Sequence, residues 1–256
     1  MGPKDYLKHI QDPEKITLLR RLLDKLSMAS RGYTVEESDF LDPYERRLAR
    51  ELAFQFPQME FLTTQREELR ERDIVGFAPY EAYIDEGVRS FKITSKFSQL
   101  SHPDILGALL GLGIDRSKIG DIAVHGESAY ICVKREIGDF LLLEFREVGS
   151  SAITVREVAN EEMVYPPTSY QREVATVSSM RLDGVVSAVT RKSRTLAKAQ
   201  VEGGLVKVNF QTILRPAHVV AAGDLLSIRK FGRVQIFPEL TTTRKDRIRI
   251  SYGIIR

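Results

Sequence analysis

The residues best suited to chemistry in this 256-residue sequence are basic side chains gathered near its C-terminal end. Residues 178–256 hold 15 Lys and Arg against 5 Asp and Glu, a balance of +10. Residues 1–177 hold the other 23 and 30, a balance of −7. Ammonium and guanidinium groups bind phosphate, and a guanidinium also stacks on unpaired bases. A basic end on an acidic body is therefore the charge pattern expected of a nucleic-acid-binding module.

Two short helices and a small sheet are predicted to position these cations. Apolar residues at 182, 185, 186 and 189 have helical spacing, Ser193 is placed as the N-cap of a second helix, and Gly203-Gly204 is placed as its end. Strands are predicted at 205–208 and 225–228, with the turn Gly223-Asp224 before the second. The cations near the helix starts are Arg181, Arg191, Lys192, Arg194 and Lys198, and those on the strand side are Lys207, Arg229, Lys230 and Arg233.

Patterns for catalysis or metal binding are not evident in the sequence. The glycines of Gly111-Leu112-Gly113 end a predicted helix instead of following a strand, so they do not indicate a nucleotide fold. His102 and His125 each lie beside a predicted turn, which favours capping or surface roles. Paired carboxylates such as Glu161-Glu162 lie in charged stretches where nothing raises a pKa. We therefore expect no catalytic residue, no metal site and no cofactor.

The composition indicates a cytoplasmic protein. Cys132 is the only cysteine, so an intramolecular disulfide is impossible and a reducing compartment fits. No apolar run approaches the roughly 20 residues that a membrane span needs, and the N-terminus lacks the apolar core of a signal peptide.

The remainder of the chain is predicted to precede the basic module as a helical region and a mixed domain. Residues 1–72 have two helix starts, at Asp12-Pro13 and Asp42-Pro43, and a third, highly charged helix candidate at 63–72. Residues 73–160 alternate strands and helices in the order β-α-β-β-α-β, which is the ferredoxin-like arrangement shared by RNA-recognition motifs. The first of these helices is predicted to start at a capping box, Ser101–Asp104, and the second to run from Glu136 to Val148. The aromatic pair typical of those motifs is not evident, since the third and fourth strands offer His125 and Tyr130. Residues 161–177 are predicted to be a linker or a short strand that enters the last domain.

The basic segment, residues 178–240, resembles the S4 RNA-binding domain, named after small-subunit ribosomal protein four. The matching elements are Arg181-Leu182-Asp183, Ser193-Arg194, Ala197, Glu202-Gly203, Val206-x-Val208-Asn209 and Gly223-Asp224. Phe210 departs from the glycine that the family often has there, so a modified turn is expected. By this resemblance the residues facing RNA are Arg181, Ser193, Arg194, Lys198 and Lys207, with Asn209 as a further contact. The resemblance places Leu182, Val185 and Leu196 in the core.

A longer resemblance, spanning nearly the whole chain, is to the YlmH family of bacterial and plastid RNA-binding proteins. It is carried by the stretch from Ser101 to Ile122 and by the tail from Thr243 to Ile250. It implies an RRM-like middle domain, no known catalytic activity, and association with the large ribosomal subunit in rescue of stalled translation. Family members are also encoded near division genes. The basic tail, residues 241–256, is expected to extend the RNA surface with Arg244, Lys245 and Arg247.

We therefore expect an α+β multidomain protein with a helical N-terminal region, a ferredoxin-like (RRM-like) middle domain and a C-terminal S4-type α/β domain. The expected function is non-enzymatic binding of structured RNA, both rRNA and tRNA, on the large ribosomal subunit in ribosome quality control. Two alternatives stay open. One is an RNA-modifying enzyme with its site in the middle domain, and the other is a cell-division adaptor whose acidic N-terminal region docks a protein partner.

Overall fold

The fold mixes helix and sheet in two compact units, Met1–Pro166 and Pro167–Arg256. A computed structural model describes residues 12–64, 70–84, 87–96, 98–242 and 246–255, apart from the side chain of residue 240. Each unit encloses its own apolar core.

The first unit begins with two capped helices and three short strands. Their bounds are α1 Pro13–Gly32, β1 Glu36–Glu37, α2 Pro43–Ala53, β2 Glu60–Thr63 and β3 Val75–Ala78. The predicted starts are confirmed: Asp12 accepts the backbone N–H of Glu14 at 3.0 Å, and Asp42 forms a capping box with Glu45. Unpaired N–H groups at each helix start are thereby satisfied.

The prediction that residues 1–72 are helical is wrong in its last part. Strands β1, β3 and β2 form an antiparallel sheet in that order, so residues 60–63 are strand instead of helix. The ring of Phe61 packs edge-on against that of Phe77 across the β2–β3 pair, with centroids 6.1 Å apart. Pairing with β3 and packing of Phe61 against the buried Phe77 ring favour a strand at residues 60–63. The candidate helix residues 65–69 lie outside the described residues.

The rest of the first unit is a five-stranded sheet with helices on one face. Its elements are β4 Val88–Ser95, α3 His102–Gly111, β5 Ile119–His125, β6 Ser128–Lys134, α4 Gly138–Glu144, β7 Glu147–Val148 and β8 Ser151–Val158, and the strand order is β5-β6-β4-β8-β7. Ser101 caps α3 by accepting the N–H of Asp104 at 3.3 Å, as predicted. The helix predicted to run to Val148 ends earlier, because Phe145 turns into the core and residues 147–148 pair with 151–152.

The second unit is one antiparallel sheet packed against two helices. Its elements are β9 Tyr170–Val177, α5 Leu182–Thr190, α6 Arg194–Glu202, β10 Val206–Val208, β11 Gln211–Thr212, β12 Leu225–Ile228, β13 Gly232–Thr242 and β14 Ile248–Ile255, and the strand order is β11-β10-β12-β13-β14-β9. Both helices and the strands β10 and β12 were predicted. Of the linker and the short strand left open for residues 161–177, residues 170–177 form a strand, which pairs along its whole length with β14.

Candidate nucleic-acid interface

A buried carboxylate holds two of the predicted cations side by side. Asp183, in the first turn of α5, is 3% exposed, and its oxygens accept Nε–H and Nη2–H of Arg181, both at 3.1 Å. Arg194, at the start of α6, donates from Nε and Nη2 to the same carboxylate at 3.4 and 3.5 Å. The side chains of Arg181 and Arg194 remain 42% and 54% exposed. One carboxylate therefore fixes two guanidinium groups that still meet solvent. We call these three residues the arginine clamp.

The arginine clamp carries a net positive charge at neutral pH. Burial by itself raises the pKa of Asp183, but hydrogen bonds from Arg181 and Arg194 act more strongly together, so the pKa lies below its ordinary value. The carboxylate is therefore ionised and offsets only one of the two guanidinium charges. A pair of oriented guanidiniums matches the oxygens of a phosphate.

Three other predicted contacts, Lys192, Ser193 and Lys198, lie within a few residues of Arg194 in the sequence. Ser193 caps α6 by accepting the N–H of Leu196 at 3.3 Å, and Lys192 is exposed beside it. Lys198 lies one turn along α6, 3.7 Å from Glu202. Ser193 is therefore a capping residue in this structure, while Lys192 and Lys198 offer charge to solvent.

Arg191 ends α5 in the left-handed conformation, with φ of 56°. Its Nη2 donates to Glu173 of β9 at 3.0 Å. The hydroxyl of Tyr252 donates to the same Glu173 oxygen at 2.9 Å, and these two hydrogen bonds, that from Tyr252 first, lower the pKa of Glu173. Arg191 is nevertheless 80% exposed, so its charge is available to a ligand.

The β10–β11 turn gives Asn209 a structural task. Asn209 and Phe210 both have positive φ, 47° and 69°, which closes the two-residue turn between Val208 and Gln211. The Asn209 amide donates to Asp224 at 2.7 Å and accepts the N–H of Leu225 at 2.9 Å. The expected modified turn at Phe210 is thus present. The nitrogen and the oxygen of the Asn209 amide thus both hydrogen-bond to the turn at Asp224-Leu225. This geometry gives no support to the predicted RNA contact by Asn209.

Two predicted contacts on the strands, Lys207 and Arg233, lie on a different face from the clamp. Lys207, Ser227 and Arg233 are cross-strand neighbours that alternate with buried residues of β10, β12 and β13. They therefore lie on the sheet face opposite the helices. The guanidinium of Arg233 lies 5.3 Å from the centre of the Phe210 ring.

Five further predicted contacts lie in the turn after β12 and in the C-terminal tail. Arg229 and Lys230 are exposed in the β12–β13 turn. Arg247 donates to the carbonyl of Thr176 at 3.4 Å. Arg244 and Lys245 lie outside the described residues. The predicted single surface is thus divided between the helices and the opposite sheet face.

Leu196 was predicted to be core and is not. It is 58% exposed, and α6 instead buries Ala197 and Val201 completely. The sequence analysis also did not single out Asp183 as the residue that positions two arginines. The available signal was that Asp183 is one of only five acidic residues in residues 178–256 and lies two positions after Arg181.

The sheet of the first unit has its second face partly covered. Residues Phe40, Ile74 and Met163 pack with Ala123 and Cys132 on the side opposite α3 and α4, in a cluster of their own. Tyr130 lies beside that cluster, 5.8 Å from the His125 ring between ring centres. The face that RNA-recognition motifs use for stacking is therefore partly filled by this chain's own residues.

Three further observations concern metal binding, the single cysteine and membrane spans in the described part of the chain. Among those residues there is no group of three or more His, Cys, Asp or Glu side chains able to hold a metal ion. Burial raises the pKa of Cys132 to about 12, so the thiol is protonated at neutral pH. Within the same ranges, no helix is long and apolar enough to cross a membrane.

Comparison with known families places both predicted RNA-binding domains in the chain. Residues 86–162 match the family described as "Putative RNA-binding domain in YlmH". Residues 180–226 match the S4 domain. The arginine clamp lies inside the second match.

Two known proteins resemble this chain, and each of them is covered over nearly its whole length. The "Ribosome-associated protein quality control protein P2" of Bacillus subtilis (strain 168) is 29% identical over 252 residues, 97% of this chain and 98% of that protein. A solved structure, "Cell division protein ylmH from Streptococcus pneumoniae", aligns with a TM-score of 0.53 at 18% identity. It covers 61% of this chain and 98% of that one, and at this identity the likeness concerns the fold.

Proposed function

We propose that this chain is a YlmH-type S4-domain protein and that it binds structured RNA, both rRNA and tRNA, on the large ribosomal subunit during ribosome quality control. We propose further that the protein acts in the cytoplasm as a non-enzymatic factor. Support comes from the two RNA-binding domain matches and from the name of the Bacillus subtilis relative.

The proposed domain arrangement refines the boundaries expected from sequence. Strands β4, β5, β6 and β8, with α3 between the first two and α4 before the last, have the order expected of a ferredoxin-like middle domain. Strand β3 pairs with β1 and β2, so the middle domain starts at β4 in this proposal. The S4-type domain takes in β9, β13 and β14, because these strands complete its sheet.

The arginine clamp is the observation that carries the proposal. Random surface arginines cost conformational entropy when they bind a phosphate, because long side chains must be ordered. Asp183 has already ordered Arg181 and Arg194 at the beginnings of two helices, where backbone N–H groups also favour anions. The surrounding segment adds a balance of +10 between residues 178 and 256.

Co-sedimentation with purified large ribosomal subunits tests the proposal. We expect Arg181→Gln/Arg194→Gln to reduce binding and to lower the slope of log affinity against log salt by about 1.4 to 1.8, the value for two lost phosphate contacts. Arg20→Gln/Arg47→Gln removes the same charge from exposed helical positions in the first unit and serves as the matched control.

The lysine double variant Arg181→Lys/Arg194→Lys separates charge from geometry. It keeps both charges but lacks the planar fork, so intermediate binding is expected. Equal binding by the glutamine, control and wild-type proteins would remove the arginine clamp from the RNA surface. Particle binding that survives nuclease treatment of the RNA would instead favour a protein-docking adaptor.

A further inference from the structure

The six-stranded sheet of the second unit is covered by helices on one face only. Its inner face contributes to the core with α5 and α6, through residues such as Val206, Leu226, Val234 and Tyr252. Alternate residues of the same strands point to the other face. On β9 these outer residues include Tyr170 at 39% and Val174 at 51% exposure. A broad, solvent-exposed sheet face therefore lies opposite the helices.

Much of this outer face lies beyond the S4 match. The match covers residues 180–226, whereas β9, β13 and β14 lie outside it. Strand β14 pairs with β9 over 248–255, and on its other side it pairs with residues 233–236 and 240–242 of β13, with an irregularity between Ile236 and Leu240. The chain has thus enlarged its S4-type sheet by three strands, and the enlarged part carries its own side chains.

An aromatic and cationic cluster occupies the outer face of the added strands. The rings of Tyr170 and Phe237 meet edge to face, with centroids 5.4 Å apart. The guanidinium of Arg172 lies 4.5 Å from the centre of the Phe237 ring, in cation–π range. Tyr170 and Arg172 are both exposed, and the buried Phe237 ring packs beneath them.

Gly253 makes this cluster possible. It pairs with Arg172 across the β9–β14 ladder. A Cβ atom at position 253 would lie 2.7 Å from the Tyr170 ring and 2.8 Å from the Phe237 ring, closer than side chains tolerate. Only glycine leaves room for both rings beside the strand. We call Tyr170, Arg172, Phe237 and Gly253 the stacking platform.

Cations flank the stacking platform on the same face. Arg249 pairs with Thr176, and Arg233 pairs with Ile255, so both side chains share the face of Arg172. Lys207 extends the row on β10. Among the described, ladder-paired positions of this face on β9, β10, β12, β13 and β14, none is Asp or Glu.

Exposed aromatic and guanidinium planes beside further cations are the combination that binds single-stranded nucleic acid. Bases stack on the planes and the cations follow the backbone, with little dependence on sequence. We propose that this outer sheet face is a second RNA surface, in which the stacking platform binds unpaired nucleotides while the arginine clamp on the helix side binds structured RNA. The inference rests on RNA being the ligand of the proposed function.

Fluorescence anisotropy of the full chain with a labelled oligouridine of about 10 nucleotides tests this surface. Tyr170→Ala should weaken binding about 5- to 100-fold, the range measured for loss of one stacked base. Tyr170→Phe keeps the ring and should bind within about twofold of wild type. Arg172→Gln/Arg249→Gln should lower the salt slope by about 1.4, since two single-strand phosphate contacts are lost. The control is again Arg20→Gln/Arg47→Gln.

The same variants separate this inference from the proposed function. The stacking-platform variants should lose oligouridine yet keep most binding to large subunits, and Arg181→Gln/Arg194→Gln should do the reverse. No oligouridine binding by wild type, or equal binding by Tyr170→Ala, overturns the second surface whatever the subunits do. Oligouridine binding that depends on Tyr170, with no binding to large subunits, supports the second surface and refutes the ribosomal role. Circular dichroism melting of each variant identifies loss through unfolding, and if Tyr170→Ala unfolds, the exposed pair Arg172→Gln/Arg249→Gln decides.

Discussion

Replacing Asp183 with Asn tests whether the arginine clamp is positioned or merely charged. The substitution keeps the size of the side chain but removes the charge that holds Arg181 and Arg194. It also raises the net charge of the basic segment by one. A purely electrostatic surface would therefore bind RNA more tightly after Asp183→Asn. If the carboxylate is needed to order the two guanidiniums, the same change weakens binding.

The expected size of the effect follows from the contacts of the carboxylate. Asp183 is buried and also accepts the N–H of Gly184 at 2.9 Å. Hydrogen bonds to a charged group contribute roughly 1.5–3 kcal/mol, and exposure of both partners favours the lower half of that range. We expect Asp183→Asn to cost about 2 kcal/mol in the free energy of unfolding of the second unit. For a domain of this size that lowers Tm by roughly 8–16 °C.

The binding assay uses a structured ribosomal RNA fragment at a temperature well below both melting points. We expect Asp183→Asn to bind about 5- to 160-fold more weakly than wild type, since two freed side chains must be ordered on binding at about 0.5–1.5 kcal/mol each. Asp139→Asn is the matched control, because Asp139 is 86% exposed and pairs with Arg89 in the first unit. Unchanged or tighter binding by Asp183→Asn would refute the positioning role.

Three further predictions concern stability. The folded-state pKa of Asp183 is lowered, so its contribution to the free energy of unfolding is present above its unfolded pKa of about 4 and is lost as pH falls through the folded value. Denaturant unfolding should therefore show that the difference in this free energy between wild type and Asp183→Asn shrinks from pH 7 to pH 3. Leu182→Ala should cost about 2–5 kcal/mol, while Leu196→Ala should stay within about 0.5 kcal/mol, because only the first is buried; thermal melts that rank them equally would contradict this. Asn209→Ala should cost about 1–3 kcal/mol by leaving its turn unbraced, and a melt unchanged from wild type would show that the brace is dispensable.

Local signals in the sequence were sufficient for several elements of the fold. Helix starts at Asp12, Asp42, Ser101 and Ser193 were predicted correctly, because a short polar side chain satisfies N–H groups two or three residues away. The turn at 209–210 was also expected to be unusual. These features depend on neighbours within a few residues, which a sequence displays directly.

Features that depend on distant partners were left open or missed. A linker and a short strand both remained possible for residues 161–177, with Pro166-Pro167 inside the segment, and residues 170–177 form a strand because β14 supplies their hydrogen bonds. Helical spacing could not decide which side of α6 is buried, and Leu196 was assigned to the core while Ala197 fills it. Small residues can pack closely where two helices and a sheet meet, whereas a leucine needs more room.

The sequence by itself determined that the chain has an S4-type segment rich in cations, because motif spacing and charge are written along the chain. Only the tertiary structure decided how those cations are divided. Asp183 draws Arg181 and Arg194 together across two helices, while strand alternation sends Lys207 and Arg233 to the opposite face. The physical reason is that a side chain's direction depends on which backbone pairs with its own, and those partners lie far apart in the sequence.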